Sequence, residues 1–190
     1  PGGDGAADFQ AFVRSIAGKG LPPGYIVAQA VAPKWSDDKN RVVWPTAKLA
    51  DAKAEFTSEQ FVEAIIADVK SKREVDAKHV FTLGWSSGGP PCYAAALKEG
   101  SPVTGAFIAM SVFKPEQLPR LENGKGKAFY ILHSPTDFIK MSFPEAARDQ
   151  LAAAGAKTKL VTYEGGHGWK GDVFGNIRAG VEWMEAEAGK

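Results

Sequence analysis

A chain of 190 residues has the length of one domain with room for a substantial core, and its 44% apolar and 24% charged residues are the balance of a folded globular protein. A net charge of +1 gives no electrostatic footprint for nucleic acid or an acidic membrane surface, and no apolar run is long enough to span a bilayer. The single cysteine, Cys92, excludes an intrachain disulfide and leaves the compartment, cytoplasmic or secreted, open.

Residues 1–5 read as a loop. Phe9, Phe12, Val13 and Ile16 then fall at helical spacing, which predicts an amphipathic helix over 6–17. Residues 18–24, with Pro22 and Pro23, break it. Residues 25–32 form a continuous apolar run with β-branched members, the pattern of a strand buried on both faces. A long polar stretch over 33–56 predicts a surface excursion with a role of its own, and it holds Trp35 and Trp44. Thr57 with Gln60 is a capping box, followed by a helical face of Phe61, Val62, Ile65, Ile66 and Val69.

Residues 80–83 predict a short strand that runs into Gly84-Trp85-Ser86-Ser87-Gly88-Gly89 and then a helix from about 88 to 97. Pro90 and Pro91 fit its first turn, where N–H groups have no helical partner. Strands follow over 105–112 and 128–132, separated by a loop over 113–127. The second of these strands ends in His133-Ser134-Pro135-Thr136-Asp137. Ser142 with Glu145 predicts a helix cap, and Gly155 its end. A last strand over 160–163 ends in Glu164-Gly165-Gly166-His167-Gly168-Trp169. Val173, Ile177, Val181 and Met184 mark a closing helix. The alternation predicts a single α/β domain over 1–190, with a mostly parallel sheet of about five strands and helices on both faces.

Chemistry gathers at three predicted strand ends, where open parallel sheets place their functional residues. Gly84-Trp85-Ser86-Ser87-Gly88 is G-x-S-x-G between a strand and a helix, the setting of a nucleophile elbow, with glycines at 84 and 88 for close packing. Ser86 needs a base to become nucleophilic; His167 supplies an imidazole that can accept its proton and return it, and the carboxylate of Asp137 can orient that ring. The predicted set is therefore Ser86, His167 and Asp137. Alone, each also fits a plainer role: a Gly/Ser-rich turn, an exposed loop histidine, a turn aspartate. The N–H of Ser87 would face a developing oxyanion. Gly2-Gly3-Asp4-Gly5 lacks the Lys-Ser/Thr of a phosphate loop and reads better as the second half of that hole, with the N–H of Gly3 first and that of Asp4 next. Cys92 reads as a small buried hydrophobe, His79 as a surface residue, and His133 as a satisfied core histidine or a brace for the site. Trp35, Trp44 and Trp169 could wall a substrate pocket or simply pack, whereas Trp85 is expected behind the elbow. No His/Cys/Asp cluster has metal-ligand spacing.

At these residues the chain resembles the α/β-hydrolase superfamily over almost its whole length, nearest to the phospholipase/carboxylesterase and dienelactone-hydrolase-like branches. The family's G-x-S-x-G maps onto Gly84 to Gly88, its acid onto Asp137 and its base onto His167. Its H-G-x-G-type oxyanion loop maps onto Pro1-Gly2-Gly3-Asp4-Gly5, with proline where the family usually has histidine. Dienelactone hydrolases carry cysteine as nucleophile, so Ser86 points to an esterase-like member. The resemblance implies ester hydrolysis through an acyl-enzyme, without metal or cofactor, on a small-molecule or polymer-borne ester. The elbow also looks like that of prolyl-oligopeptidase-type serine peptidases, and a fold retained as a non-catalytic binding module is a third expectation. In the family the strand before the oxyanion loop lies beside the elbow strand. This chain begins just after that strand would end, so further residues upstream, or another chain, are expected to supply it.

Overall fold

The computed structural model describes residues 7–33 and 43–188. Four parallel strands form its sheet, β1 (Phe81–Trp85), β2 (Gly105–Ala109), β3 (Ala128–His133) and β4 (Lys157–Thr162), in the spatial order β1-β2-β3-β4. Register pairs Phe81 with Gly105, Gly105 with Ala128 and Ala128 with Lys157, so the strands start level and their carboxyl ends share one edge. Helices fill the connections: α1 (Ala7–Ser15), which runs into a π-helical turn over Ile16–Gly20, then α2 (Ser58–Lys72), α3 (Gly89–Leu97), α4 (Ser142–Ala153) and α5 (Val173–Ala188). Two 3₁₀ turns, Pro115–Gln117 and Leu121–Gly124, lie between β2 and β3.

The two-residue period of the strands divides the core. Ala106 and Ile108 of β2 with Phe129 and Ile131 of β3 face α3 and α4, packing on Tyr93, Leu97, Ala147 and Leu151. Their alternates Phe107, Ala109, Tyr130 and Leu132 face α5 and the turn after α1, packing on Ile177, Val181, Met184 and Ile16. Helices thus cover both faces, as expected of strands whose side chains are apolar in both directions.

The capping box is present: Thr57 Oγ1 accepts from the Gln60 N–H at 3.3 Å, and Gln60 Oε1 from the Thr57 N–H at 2.8 Å. Gly155 closes α4 at φ +90°. Ser142 is the first residue of α4 rather than its cap; Met141 holds the cap position with no side-chain hydrogen bond.

The fifth expected strand does not form. Residues 25–33 have no regular structure, and Ile26, Val27 and Val31 are 51%, 43% and 44% exposed. An apolar run becomes a buried strand only beside another strand that takes up its N–H and C=O groups. Among the described residues no strand lies next to this run. Tyr25 reaches the sheet, its ring centroid 6.3 Å from that of Phe81. β1 has a neighbour on one side only among the described residues, and Leu83 on it is 38% exposed.

Candidate active site

β1 ends at Trp85 in extended conformation, and the next residue, Ser86, turns to φ +54°. A side-chain-bearing residue rarely occupies that left-handed region, where the cost is of order 1–3 kcal/mol. A 3₁₀ turn over Ser86–Gly88 then feeds α3. The turn is possible because strand and helix almost touch. A Cβ on Gly84 would stand 2.2 Å from the Gly88 carbonyl oxygen and 2.7 Å from Cys92 Sγ, and a Cβ on Gly89 would stand 2.1 Å from Ser111 Oγ. Close approaches are thus made at Gly84 and Gly89, and the first of them is to the backbone of Gly88, which has a φ of −79°.

Ser111, at the end of β2, donates its hydroxyl to the Ser86 carbonyl at 2.7 Å and so holds the turn from the neighbouring strand. Sequence reading passes over this residue; its one signal is a small polar side chain directly after a buried strand.

The loop after β4 brings His167 to the elbow. Its Nε2 lies 2.9 Å from Ser86 Oγ, and its Nδ1 lies 3.0 and 2.9 Å from Asp137 Oδ1 and Oδ2. A carboxylate only accepts, so the partners assign the proton to Nδ1 and turn the Nε2 lone pair toward the Ser86 hydroxyl. The Asp137 side chain is fully buried, and its Oδ1 also accepts the Ile139 N–H at 2.8 Å. A buried carboxylate needs such donors to remain charged.

Three further residues hold these loops. Ser134, fully buried, accepts on Oγ from the N–H of Thr136 at 3.3 Å and of Gly166 at 3.0 Å, joining the Asp137 loop to the His167 loop. The hydroxyl of Tyr163 lies against the carbonyl oxygens of Gly166, at 3.0 Å, and Gly168, and can donate its single proton to either. His133, fully buried, donates from Nε2 to the Ile139 carbonyl at 2.9 Å, a brace on the Asp137 loop.

Trp85 is not simply behind the elbow: its ring centroid is 6.1 Å from that of His167 and 6.0 Å from that of Trp169. Trp169 in turn packs on Phe12 at 5.9 Å. Trp44 is half-buried beside Pro45, whose carbonyl accepts the Ser58 N–H at the start of α2. Ser87 is the residue after Ser86 in the 3₁₀ turn, with an exposed side chain. Gly3, Asp4 and Trp35 lie outside the described residues. Cys92 is partly buried against the core, and desolvation pushes its thiol up to about 11, away from thiolate chemistry. Among the described residues no group of three or more His, Cys, Asp or Glu is placed to hold a metal ion, and no helix is long and apolar enough to cross a membrane.

No family model matches this chain, and no curated protein matches it. Among solved structures it is similar to the carboxylesterase of Bacillus cereus, with a TM-score of 0.51 and 18% identity over 68% of this chain and 57% of that one. It is similar to esterase PE8, with a TM-score of 0.56 and 19% identity over 66% of this chain and 60% of that one. It is also similar to MGS-M1, an α/β-hydrolase enzyme from a Medee basin deep-sea metagenome library, with a TM-score of 0.55 and 13% identity over 70% of this chain and 64% of that one. The chain spans about three fifths of the length of these structures. At such identities the likeness is one of fold: the chain has the α/β-hydrolase fold, with four parallel strands among its described residues.

Proposed function

We propose that the chain is a carboxylic ester hydrolase working through an acyl-enzyme on Ser86. The observation that carries this reading is the continuous hydrogen-bonded line from Ser86 Oγ through His167 to the buried Asp137, with 2.9 Å between Ser86 Oγ and His167 Nε2. Each member has a chemical task. His167 Nε2 takes the Ser86 proton as Oγ attacks the ester carbonyl, and Asp137 stabilises the imidazolium that forms. The Ser87 N–H receives the oxyanion, with Gly3 or Asp4 proposed as the second donor. As the tetrahedral intermediate collapses, the C–O bond to the alcohol breaks and His167 returns the proton to the departing oxygen. Water then repeats the sequence on the acyl-serine, with His167 as base, and releases the acid. Water and these side chains balance every bond change, so the reading asks for no metal or cofactor.

The names of the Bacillus carboxylesterase and esterase PE8 support an ester over a peptide as the substrate. The proposed substrate is a small or polymer-borne ester. Trp169 is the proposed pocket wall, because the Trp85 ring it contacts also touches His167.

The test is intact mass after exposure to a fluorophosphonate, on the natural chain and on Ser86→Ala, followed by a matched panel of esters and peptides. One adduct, absent from the variant, with turnover of esters alone is expected. Cleavage of peptides in place of esters would move the reading to a serine peptidase of the prolyl-oligopeptidase type. Ligand binding by folded protein that forms no adduct would make it a binding module.

A further inference from the structure

Phe138 is 78% exposed, a large apolar side chain facing solvent immediately after the buried Asp137. A single exposed hydrophobe on a mobile loop would mean little. This one is held. The Asp137 N–H donates to the Ser134 carbonyl at 3.0 Å, and the Ile139 N–H to Asp137 Oδ1 at 2.8 Å. The Ile139 carbonyl accepts from His133 Nε2 at 2.9 Å. Backbone is therefore pinned on both sides of Phe138, and the ring is kept outward rather than folded into the core. Its centroid lies 4.3 Å from that of His167, with the two planes at 44°. That is close enough for direct ring contact.

The direction of the chemistry says which part of a substrate meets this ring. His167 Nε2 faces Ser86 Oγ and is the atom that would return a proton to the departing alcohol oxygen. The group on that oxygen leaves alongside the imidazole. A ring in contact with the imidazole and open to solvent therefore stands beside the residue that hands the proton to the departing alcohol.

We propose that Phe138 is the specificity-determining residue on the leaving-group side, a rigid apolar shelf that selects esters whose alcohol carries a flat aromatic ring. The proposal rests on the ester-hydrolase reading of Ser86, His167 and Asp137. Covering the exposed ring removes apolar surface from water on both partners, and an offset or edge-on ring pair adds to that. The phenyl ring comes to Phe138 without any ordering of the loop, because the loop is already fixed.

The test compares benzyl acetate with ethyl acetate. The two share an acyl group, and their alcohols have similar acidity, so the bond-breaking steps are matched. In the natural chain kcat/KM should favour benzyl acetate, and in Phe138→Ala the benzyl-to-ethyl ratio should fall about tenfold. Phe138→Trp keeps a flat ring at the same place and should keep the ratio. Fluorophosphonate labelling of Ser86 in each variant reports that the site is assembled. An unchanged ratio in Phe138→Ala overturns the shelf, as does an equal slowing of both esters, which would mean that Phe138 only steadies His167. Loss of the ratio in Phe138→Trp also counts against it. Labelling and ethyl acetate turnover with no benzyl preference overturn the shelf alone. No turnover of either ester by the natural chain overturns both readings.

Discussion

Ser134 Oγ accepts a hydrogen bond from the Gly166 N–H at 3.0 Å, tying the loop after β3 to the loop after β4. Those loops carry Asp137 and His167, residues thirty positions apart that must meet within a hydrogen bond. The tie is buried, so water cannot replace it if the hydroxyl is lost.

Ser134→Ala should therefore lower stability by about 1–3 kcal/mol, the usual cost of leaving a buried donor unpaired. With the two loops less firmly joined, kcat on a simple ester should fall about tenfold while KM changes little. Denaturant unfolding and steady-state kinetics read the two effects separately. Lost stability with unchanged kcat would show that the tie serves the fold and not the alignment of His167.

Asp137→Asn tests the assigned tautomer of His167. The amide can present N–H groups to Nδ1, which then becomes the acceptor and moves the proton to Nε2, facing Ser86. Ester turnover should fall by about 10⁴-fold with the fold intact. Fluorophosphonate labelling should slow in parallel. A loss below about tenfold would mean that Asp137 does not orient the ring.

Gly84→Ala and Gly89→Ala push a methyl group into the elbow, where the nearest atoms would stand at 2.2 Å and 2.1 Å. Each should cost about 1–3 kcal/mol or more, and both should reduce labelling of Ser86. Gly18→Ala is the control, since nothing lies within 4 Å of its would-be Cβ. It should be neutral or stabilising by up to about 1 kcal/mol. Equal effects at all three positions, in thermal unfolding, would contradict the close packing of β1 on α3.

Alkaline pH should unfold the chain earlier than the charge balance alone suggests. Burial raises all four tyrosines, Tyr25, Tyr93, Tyr130 and Tyr163, above the ordinary value of 10.0. An acid whose folded pKa is raised stabilises the fold fully below its unfolded pKa and loses that contribution as pH rises past it. Urea midpoints should thus hold to about pH 9.5 and fall above about pH 10. Phenolate absorbance should appear later in the folded chain than in the denatured one. Phenols that titrate at the same pH in both states would refute this.

Much of the candidate site is legible because the proposed chemistry calls for particular residues at particular strand ends. Ser86, Asp137 and His167 stand out from local context alone: a G-x-S-x-G after a β-prone run, an aspartate after a strand, a histidine between glycines. The residues that hold them do not. Ser111 and Ser134 act through partners that lie 25 and 32 positions away, and the Tyr163 hydroxyl also meets Met110, 53 positions away; a lone serine or tyrosine at a strand end carries no sign of them. That Gly89 meets Ser111 is equally invisible in the sequence, because it depends on how α3 leans on β2. The apolar run over 25–32 misleads for the same reason, since its composition suits a buried strand while its pairing depends on what lies beside it.

By itself the sequence determined the alternation of helices with most of the strands, the capping box of α2, the helices on both faces of the sheet and the three residue types that meet at Ser86. These follow from period, propensity and local turn chemistry, which act within a few residues. Tertiary structure alone decided that residues 25–33 stay outside the sheet and that Ser134 ties two loops together. It also decided that Trp85 touches His167 and that Phe138 stands exposed against the imidazole. Those outcomes depend on contacts between segments distant in the chain, and such contacts leave no periodic trace in the residues that make them.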